Sequence, residues 1–102
     1  MDDIRKIEKI LKSGENETVE FKSSFNDSVV ETISAFSNKK GGQIFVGVDN
    51  DGKLIKGFSV GNETIQKWLN EIKIKTQPAI IPDIELMKIE AQSFALIKVQ
   101  EI

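Results

Sequence analysis

The apolar positions of the chain recur in two periods, and these periods predict its helices and strands. Near the N-terminus, apolar residues at helical spacing are followed by a glycine, which predicts a short amphipathic helix. The residues concerned are Ile4, Ile7, Ile10, Leu11 and Gly14.

Two more helices are predicted from apolar stripes of the same period. One stripe follows a capping residue at Asn26 or Asp27, and the other follows a cap at Asn62. The stripes comprise Val29, Val30, Ile33 and Phe36, and then Ile65, Trp68, Leu69 and Ile72. Because the second stripe continues past Trp68, this indole is predicted to lie in the core rather than to stack on a base.

Shorter apolar segments have the pattern of strands. TVEFK alternates with a period of two, QIFVGV is nearly continuous as in the centre of a sheet, and the turn sequence DNDG leads from it to a return strand, KLIKGF. IELMKIEAQSFALIKVQEI contains two further strands joined by a turn at Ala91–Ser93. The predicted fold is α+β, with three helices and a mixed, hairpin-rich sheet of about five strands.

The composition limits the chemistry available to such a domain. The chain has no Cys and no His, which excludes disulfides, thiolate zinc sites and the usual general base, so catalysis or metal binding would have to use carboxylates. A formal net charge of -2 argues against binding nucleic acid through overall charge, but it permits a local basic face. No apolar run is long enough to span a membrane, and we expect a cytoplasmic domain without a membrane partner.

Two motifs carry a resemblance to a known family. ENETVEFKSSF precedes the second predicted helix, and SAFSNKKGGQIFVGVDNDGKLIKG begins within it. They span Glu15–Gly57, with weaker agreement over Pro82–Val99, and they resemble the Schlafen-type AlbA domain, which is described as a DNA-binding domain of transcriptional regulators and helicase-related proteins. The resemblance implies that residues 1–102 form one such domain, the N-terminal fragment of a longer regulator. Since the chain has no G-x-x-x-x-G-K-[ST] phosphate loop, no bound ATP or other cofactor is expected in it.

The first functional hypothesis is a nucleic-acid-binding module, with DNA rather than RNA as the expected partner. The resemblance directs attention to a turn with two lysines and two glycines, which, with neighbouring lysines, would hold phosphates weakly and without sequence preference. The expected binding residues are Lys22, Lys39, Lys40, Gly41, Gly42, Lys53 and Lys56. The alternative is that the glycines only end a helix and that the lysines are solvated and offset by acidic neighbours.

The second hypothesis is a metal-dependent nuclease. Schlafen relatives include endoribonucleases with three acidic residues on this motif, and the resemblance places the matching catalytic and metal-binding residues at Glu15, Glu20 and Asp49, with Mg²⁺ or Mn²⁺ as the metal. One lobe supplies only half of the two-lobed cleft of those enzymes. The alternative is an exposed ion pair between Glu20 and Lys22, and a turn capped by Asp49.

The third hypothesis is self-association. The last predicted strand, FALIKVQEI, alternates apolar residues, so it could be an edge that pairs with a second copy or continues into a C-terminal remainder. If the family fold applies, Glu20, Lys22 and Asp49 are expected to gather with the Lys39–Gly42 turn around one shallow groove. That expectation rests on burial of Ile44, Val46 and Val48 on a single face of the central strand.

Overall fold

A computed structural model describes residues 4–102, which form three helices and a four-stranded sheet. In chain order the elements are α1 (Ile4–Ser13), β1 (Val19–Lys22), α2 (Asp27–Ser37), β2 (Gly42–Val46), α3 (Asn62–Lys75), β3 (Asp83–Ile89) and β4 (Gln92–Val99). The α+β class and the three helices are confirmed, and the mixed sheet of the described residues has four strands where about five were predicted.

The sheet has the strand order β1-β2-β4-β3, with β1 and β2 parallel and the other pairs antiparallel. The last strand, β4, therefore lies inside the sheet, and both of its edges are paired. The prediction that this strand is a free edge able to pair with a second copy is wrong, while the homodimer itself stays a prediction. The edges of the sheet are β1 and β3.

The predicted return strand KLIKGF does not form a ladder. The DNDG turn is present, with the backbone N–H of Asp49 donating to the carbonyl of Lys53, but the following segment makes an isolated bridge between Val48 and Leu54. The reason is that β1 and β4 already occupy both edges of β2. A further strand has no free backbone groups of β2 to pair with.

Both faces of the sheet are covered by helices. On the face that we call the α1 face, Ile7 and Leu11 of α1 pack in one cluster with Val19, Phe21 and Phe45. On the opposite face, called the α2/α3 face, α2 and α3 form a second cluster with β2 and β4. As predicted, Trp68 packs against this second core, where its ring stacks on Phe25 with the centroids 4.8 Å apart.

A β-bulge at Gly47 changes the side of the sheet to which the side chains after β2 point. The backbone N–H groups of Gly47 and Val48 both donate to the carbonyl of Lys22, and Gly47 has a φ of 94°. As a result, Ile44 and Val46 lie on the α2/α3 face, whereas Val48 lies in the α1-face core. The prediction that Ile44, Val46 and Val48 share one face is wrong for Val48.

The ends of α2 and α3 agree with the sequence predictions to within a residue, whereas β4 begins at Gln92, inside the turn predicted at Ala91–Ser93. Asn26 is the N-cap of α2, and its side chain accepts a hydrogen bond from the backbone N–H of Ser28. The N-cap of α3 is Gly61 rather than Asn62, and the β3–β4 turn is formed by Glu90 and Ala91, both with positive φ. In residues 4–102, no helix is long and apolar enough to cross a membrane.

Candidate nucleic-acid interface

The outer edge of β1 brings together two carboxylates, an ammonium and a hydroxyl. Glu20 and Lys22 lie on the α2/α3 face, as their alternation with the buried residues of β1 predicted. The Nζ of Lys22 is 3.2 Å from the Oγ of Ser28, in the first turn of α2, and 4.0 Å from the carboxylate of Glu20. Glu15 reaches the same edge from the preceding loop, where its Oε2 accepts a hydrogen bond of 2.9 Å from the backbone N–H of Phe21.

The carboxyl groups of Glu15 and Glu20 interact directly. Partial burial raises the pKa of Glu20, and the negative charge of Glu15 and a hydrogen bond between the two side chains raise it further, while Lys22 lowers it. A hydrogen bond between two carboxyl groups requires a proton on one of them. Two negative charges at this edge are therefore unfavourable unless a proton or another cation lies between them.

Asp49 has a different surrounding from the two glutamates. Its Oδ1 accepts hydrogen bonds from the backbone N–H groups of Asp51, at 2.8 Å, and Lys53, at 3.0 Å, and so holds the DNDG turn. Within residues 4–102, no group of three or more acidic side chains is placed to hold a metal ion. The structure thus brings Glu15 and Glu20 together and leaves Asp49 as the cap of a turn.

The Lys39–Gly42 turn joins the end of α2 to the start of β2. Gly41 has a φ of 78°, and a Cβ on it would lie 2.5 Å from the carbonyl oxygen of Val99. A Cβ on Gly42 would lie 2.6 Å from the ring of Phe36. Packing within the domain therefore accounts for both glycines, and the approach of a phosphate to the backbone is not needed to explain them.

The residues predicted to line one groove lie at two ends of the β1–α2–β2 unit. Lys22 contacts the first turn of α2, whereas Lys39 and Lys40 follow the last residue of that helix. The helix between them has 11 residues, which gives it a length of about 16 Å. Asp49 follows the last residue of β2, at the end of the strand opposite to the Lys39–Gly42 turn. The prediction of a single groove is therefore wrong, because the strand and helix between its members hold them apart.

Lys53 and Lys56 lie near the C-terminal end of β2. Both side chains are exposed. Lys53 belongs to the turn held by Asp49, and Lys56 borders a shallow depression that also includes Glu8 and Gln92. These lysines are consequently closer to α1 and the β3–β4 turn than to Lys39 and Lys40.

The basic surface of α1 is absent from the predicted sites. Four cations, Arg5, Lys6, Lys9 and Lys12, are exposed along this helix, and Glu8 is its single acid. Within residues 4–102, Lys6, Lys9 and Lys12 make neither an ion pair nor a side-chain hydrogen bond. The pattern that could have revealed this surface is the recurrence of basic residues at spacings of three and four, opposite Ile7 and Leu11.

Comparison with known families identifies the domain. The model of the Schlafen AlbA_2 family matches residues 15–102. The chain belongs to this family. The resemblance carried by the two sequence motifs is thus confirmed, and the matched region includes the Glu15–Glu20 pair. The basic helix α1 precedes it.

Similar proteins come from bacteria and a virus. An uncharacterized ATP-binding protein of Ureaplasma parvum is 42% identical over 62 residues, which are 56% of this chain and 18% of that protein. A Poxin-Schlafen protein of Monkeypox virus is 39% identical over 41 residues, which are 40% of this chain and 8% of the viral protein. The chain is similar to a small part of each of these longer proteins.

Solved structures share the fold. A protein of Corynebacterium diphtheriae superposes with a TM-score of 0.69 at 19% identity, over 97% of this chain and 22% of that one. The N-terminal domain of a protein from Nitrosomonas europaea, described as related to the ATP-dependent DNA helicase RecG, gives a TM-score of 0.61 at 17% identity, over 99% of this chain and 74% of that one. Both of these structures therefore share the fold of this chain.

Proposed function

We propose that this domain binds nucleic acid through the phosphate backbone, using lysines of α1 and of the turn after α2. The observation that carries the proposal is that Lys6, Lys9 and Lys12 are exposed on one helix and make no ion pair within residues 4–102. Lysine side chains of this kind release counterions from nucleic acid when they contact phosphates. Binding of this type does not depend on sequence.

The turn after α2 supplies a second group of cations. Lys39 is exposed and has no ion pair in the described part of the chain. Lys40 pairs with Glu17, but the two side chains are 74% and 82% exposed, and such pairs contribute little free energy. A phosphate could therefore replace Glu17 as the partner of Lys40 at small cost.

A salt titration with paired variants tests the proposal. Labelled DNA and RNA would be titrated with the wild-type protein and with the double variant Lys9→Glu/Lys39→Glu. The control is the double variant Lys67→Glu/Lys88→Glu, which has the same net charge but changes residues of α3 and β3. We expect the first variant to lose affinity and to reduce the slope of log K against log salt by about 1.4 to 1.8, because two phosphate contacts are removed. Absence of binding by the wild type at low salt, or equal losses in the two variants, would contradict the proposal.

A second candidate is phosphodiester cleavage at the edge of β1. The observation that favours it is the direct interaction of Glu15 and Glu20 beside the ammonium of Lys22. These two carboxylates fit two ligand positions of Mg²⁺ or Mn²⁺, and such an ion, when bound, polarises a phosphate oxygen. Lys22 would hold negative charge on the substrate, oriented by its hydrogen bond to Ser28.

Incubation with structured RNA and Mn²⁺ tests this second candidate. If it is correct, the wild type cleaves the RNA and Glu20→Gln does not, since the amide cannot provide a charged ligand. The variant Glu17→Gln, which changes an exposed carboxylate in the same loop, should cleave like the wild type. Cleavage that persists in Glu20→Gln would point to a contaminating nuclease, and no cleavage by the wild type would remove the candidate.

A further inference from the structure

Three residues on neighbouring strands form a row on the α1 face of the sheet. Val19 of β1 pairs with Gln43 of β2, and Gln43 pairs with Lys98 of β4. Their side chains share the α1 face, because their neighbours Ile44 and Ile97 point into the opposite core and Val19 lies in the α1-face core. The row spans two inter-strand spacings, or about 10 Å.

A groove with a volume of about 460 Å³ lies between α1 and the start of β1, at one end of this row. Half-buried Ile10 and buried Val19 provide apolar surface in it, and two of the unpaired lysines of α1 border it. The lining residues are Lys6, Lys9, Ile10, Ser13, Asn16 and Val19. The groove thus combines an aliphatic surface with a cationic rim.

A second depression, with a volume of about 340 Å³, includes Gln43, the strand partner of Val19. Gln43 and two cations, Lys40 and Lys98, line it. Lys98 lies 3.3 Å from Glu85, and the two side chains are each about one-third exposed. Lysines of α1 thus lie beside Val19, and Lys98 lies between Gln43 and the exposed Asp83 of β3.

Gln43 lines the second depression, and its strand partner Val19 lines the groove beside α1. Gln43 is half-buried on a central strand, yet its amide makes no side-chain hydrogen bond to any residue in 4–102. A half-buried amide with two donors and an acceptor can pair with the polar edge of a ligand that reaches it. Nucleobases carry such edges, and single strands expose them.

We propose that the Val19–Gln43–Lys98 row binds a single strand of nucleic acid, with phosphates on the lysines at its two ends and one base in the groove beside α1. This inference rests on the proposed function and specifies the form of the ligand. A base in a duplex must first lose its pairing and stacking to enter the groove. An unpaired base can place its apolar face on Ile10 and Val19, and Gln43, on the strand next to Val19, can pair with its polar edge. Duplex nucleic acid would be limited to the exposed lysines of α1 and of the turn after α2.

The test compares strand forms and groove variants by fluorescence anisotropy. A short labelled DNA strand, the RNA of the same sequence and the DNA duplex would be titrated with the wild type, Ser13→Trp and Gln43→Ala. Because Ser13 is exposed and lines the groove, the indole of Ser13→Trp would fill the groove without entering the core. The matched control is Asn70→Trp, at an exposed position of α3. Unfolding curves would establish that each variant is folded.

We expect the wild type to bind a single strand more tightly than the duplex. Ser13→Trp and Gln43→Ala should each weaken single-strand binding by about fivefold or more, the value of one base contact, while Asn70→Trp should not. The DNA and RNA arms identify which single strand is preferred. Equal or tighter binding of the duplex, or equal affinities for Ser13→Trp and Asn70→Trp, would overturn the single-strand site and leave phosphate binding intact. Absence of binding to all three probes would overturn both proposals.

Discussion

The carboxylate of Glu15 accepts a hydrogen bond of 2.9 Å from the backbone N–H of Phe21, on the outer side of edge strand β1. In a parallel pair, alternate residues direct their backbone groups away from the neighbouring strand, and these groups need another partner. Glu15 provides that partner for Phe21, while Asn16 exchanges backbone hydrogen bonds with Val19. The loop before β1 thereby closes most of an edge that would otherwise be open to another chain.

Replacement of Glu15 tests how much this edge contact stabilises the fold. We expect Glu15→Ala to lower the free energy of unfolding by about 1 kcal/mol, because a partly buried N–H loses its acceptor. Glu15→Gln should lose less, since the amide retains an acceptor oxygen. Urea denaturation provides the measurement, and Glu17→Ala, at an exposed pair, should stay within about 0.5 kcal/mol of the wild type. Equal stability of Glu15→Ala and Glu17→Ala would show that the contact contributes nothing.

The raised pKa of Glu20 predicts a specific dependence of stability on pH. A carboxyl group whose pKa is higher in the folded state binds more protons when folded, so folding loses stability as the pH rises through a window that begins near the ordinary value of about 4.3. Glu20→Gln removes this titration. We therefore expect the stability of the variant relative to the wild type to increase as the pH rises through that window and to stay constant above it. Urea unfolding at a series of pH values measures the difference, and a difference that does not change with pH would contradict the assignment.

The helices, and the choice of which β1 side chains are buried, follow from local patterns and could be predicted from the sequence. Ile7 and Leu11 recur at helical spacing, and Val19 and Phe21 alternate with Glu20 and Lys22, so burial of one set fixes the position of the other. The bulge at Gly47 could not be predicted in this way. A single extra residue in a strand moves every later side chain of that strand to the opposite side of the sheet. The presence of a glycine in an apolar run does not show whether such a bulge forms there.

The site was harder to predict because its members are related by topology rather than by spacing. Lys40 and Asp49 are near in sequence, but β2 lies between them and places them at opposite ends of the sheet. The row formed by Val19, Gln43 and Lys98 depends on the central position of β4, which is a non-local pairing. Hydrophobic alternation is the same for a central strand and for an edge strand with one covered face, so the sequence did not distinguish these positions.

Substitution of Gly41 separates packing from ligand binding as the reason for the glycine. We expect Gly41→Ala to lower the free energy of unfolding by about 2 to 4 kcal/mol, because the residue has a φ of 78° and the new Cβ would lie 2.5 Å from the carbonyl oxygen of Val99. Gly14→Ala is the control, since Gly14 also has a positive φ but has open space around it, and its cost should be about 1 kcal/mol. Chemical denaturation measures both. A Gly41→Ala protein as stable as Gly14→Ala would mean that the packing argument is wrong.

Asp49 can be tested as a turn cap and as a metal ligand with two substitutions. Its Oδ1 accepts two backbone hydrogen bonds, from Asp51 and Lys53, and Asn retains this acceptor whereas Ala does not. We therefore expect Asp49→Asn to unfold at nearly the same urea concentration as the wild type, and Asp49→Ala to lose about 1 kcal/mol. If the cap is its whole role, Asp49→Asn also leaves nucleic-acid affinity and any Mn²⁺-dependent cleavage unchanged. Loss of cleavage in a fully stable Asp49→Asn protein would instead mean that the carboxylate charge is required, and that the turn rearranges to bring Asp49 to the Glu15–Glu20 pair.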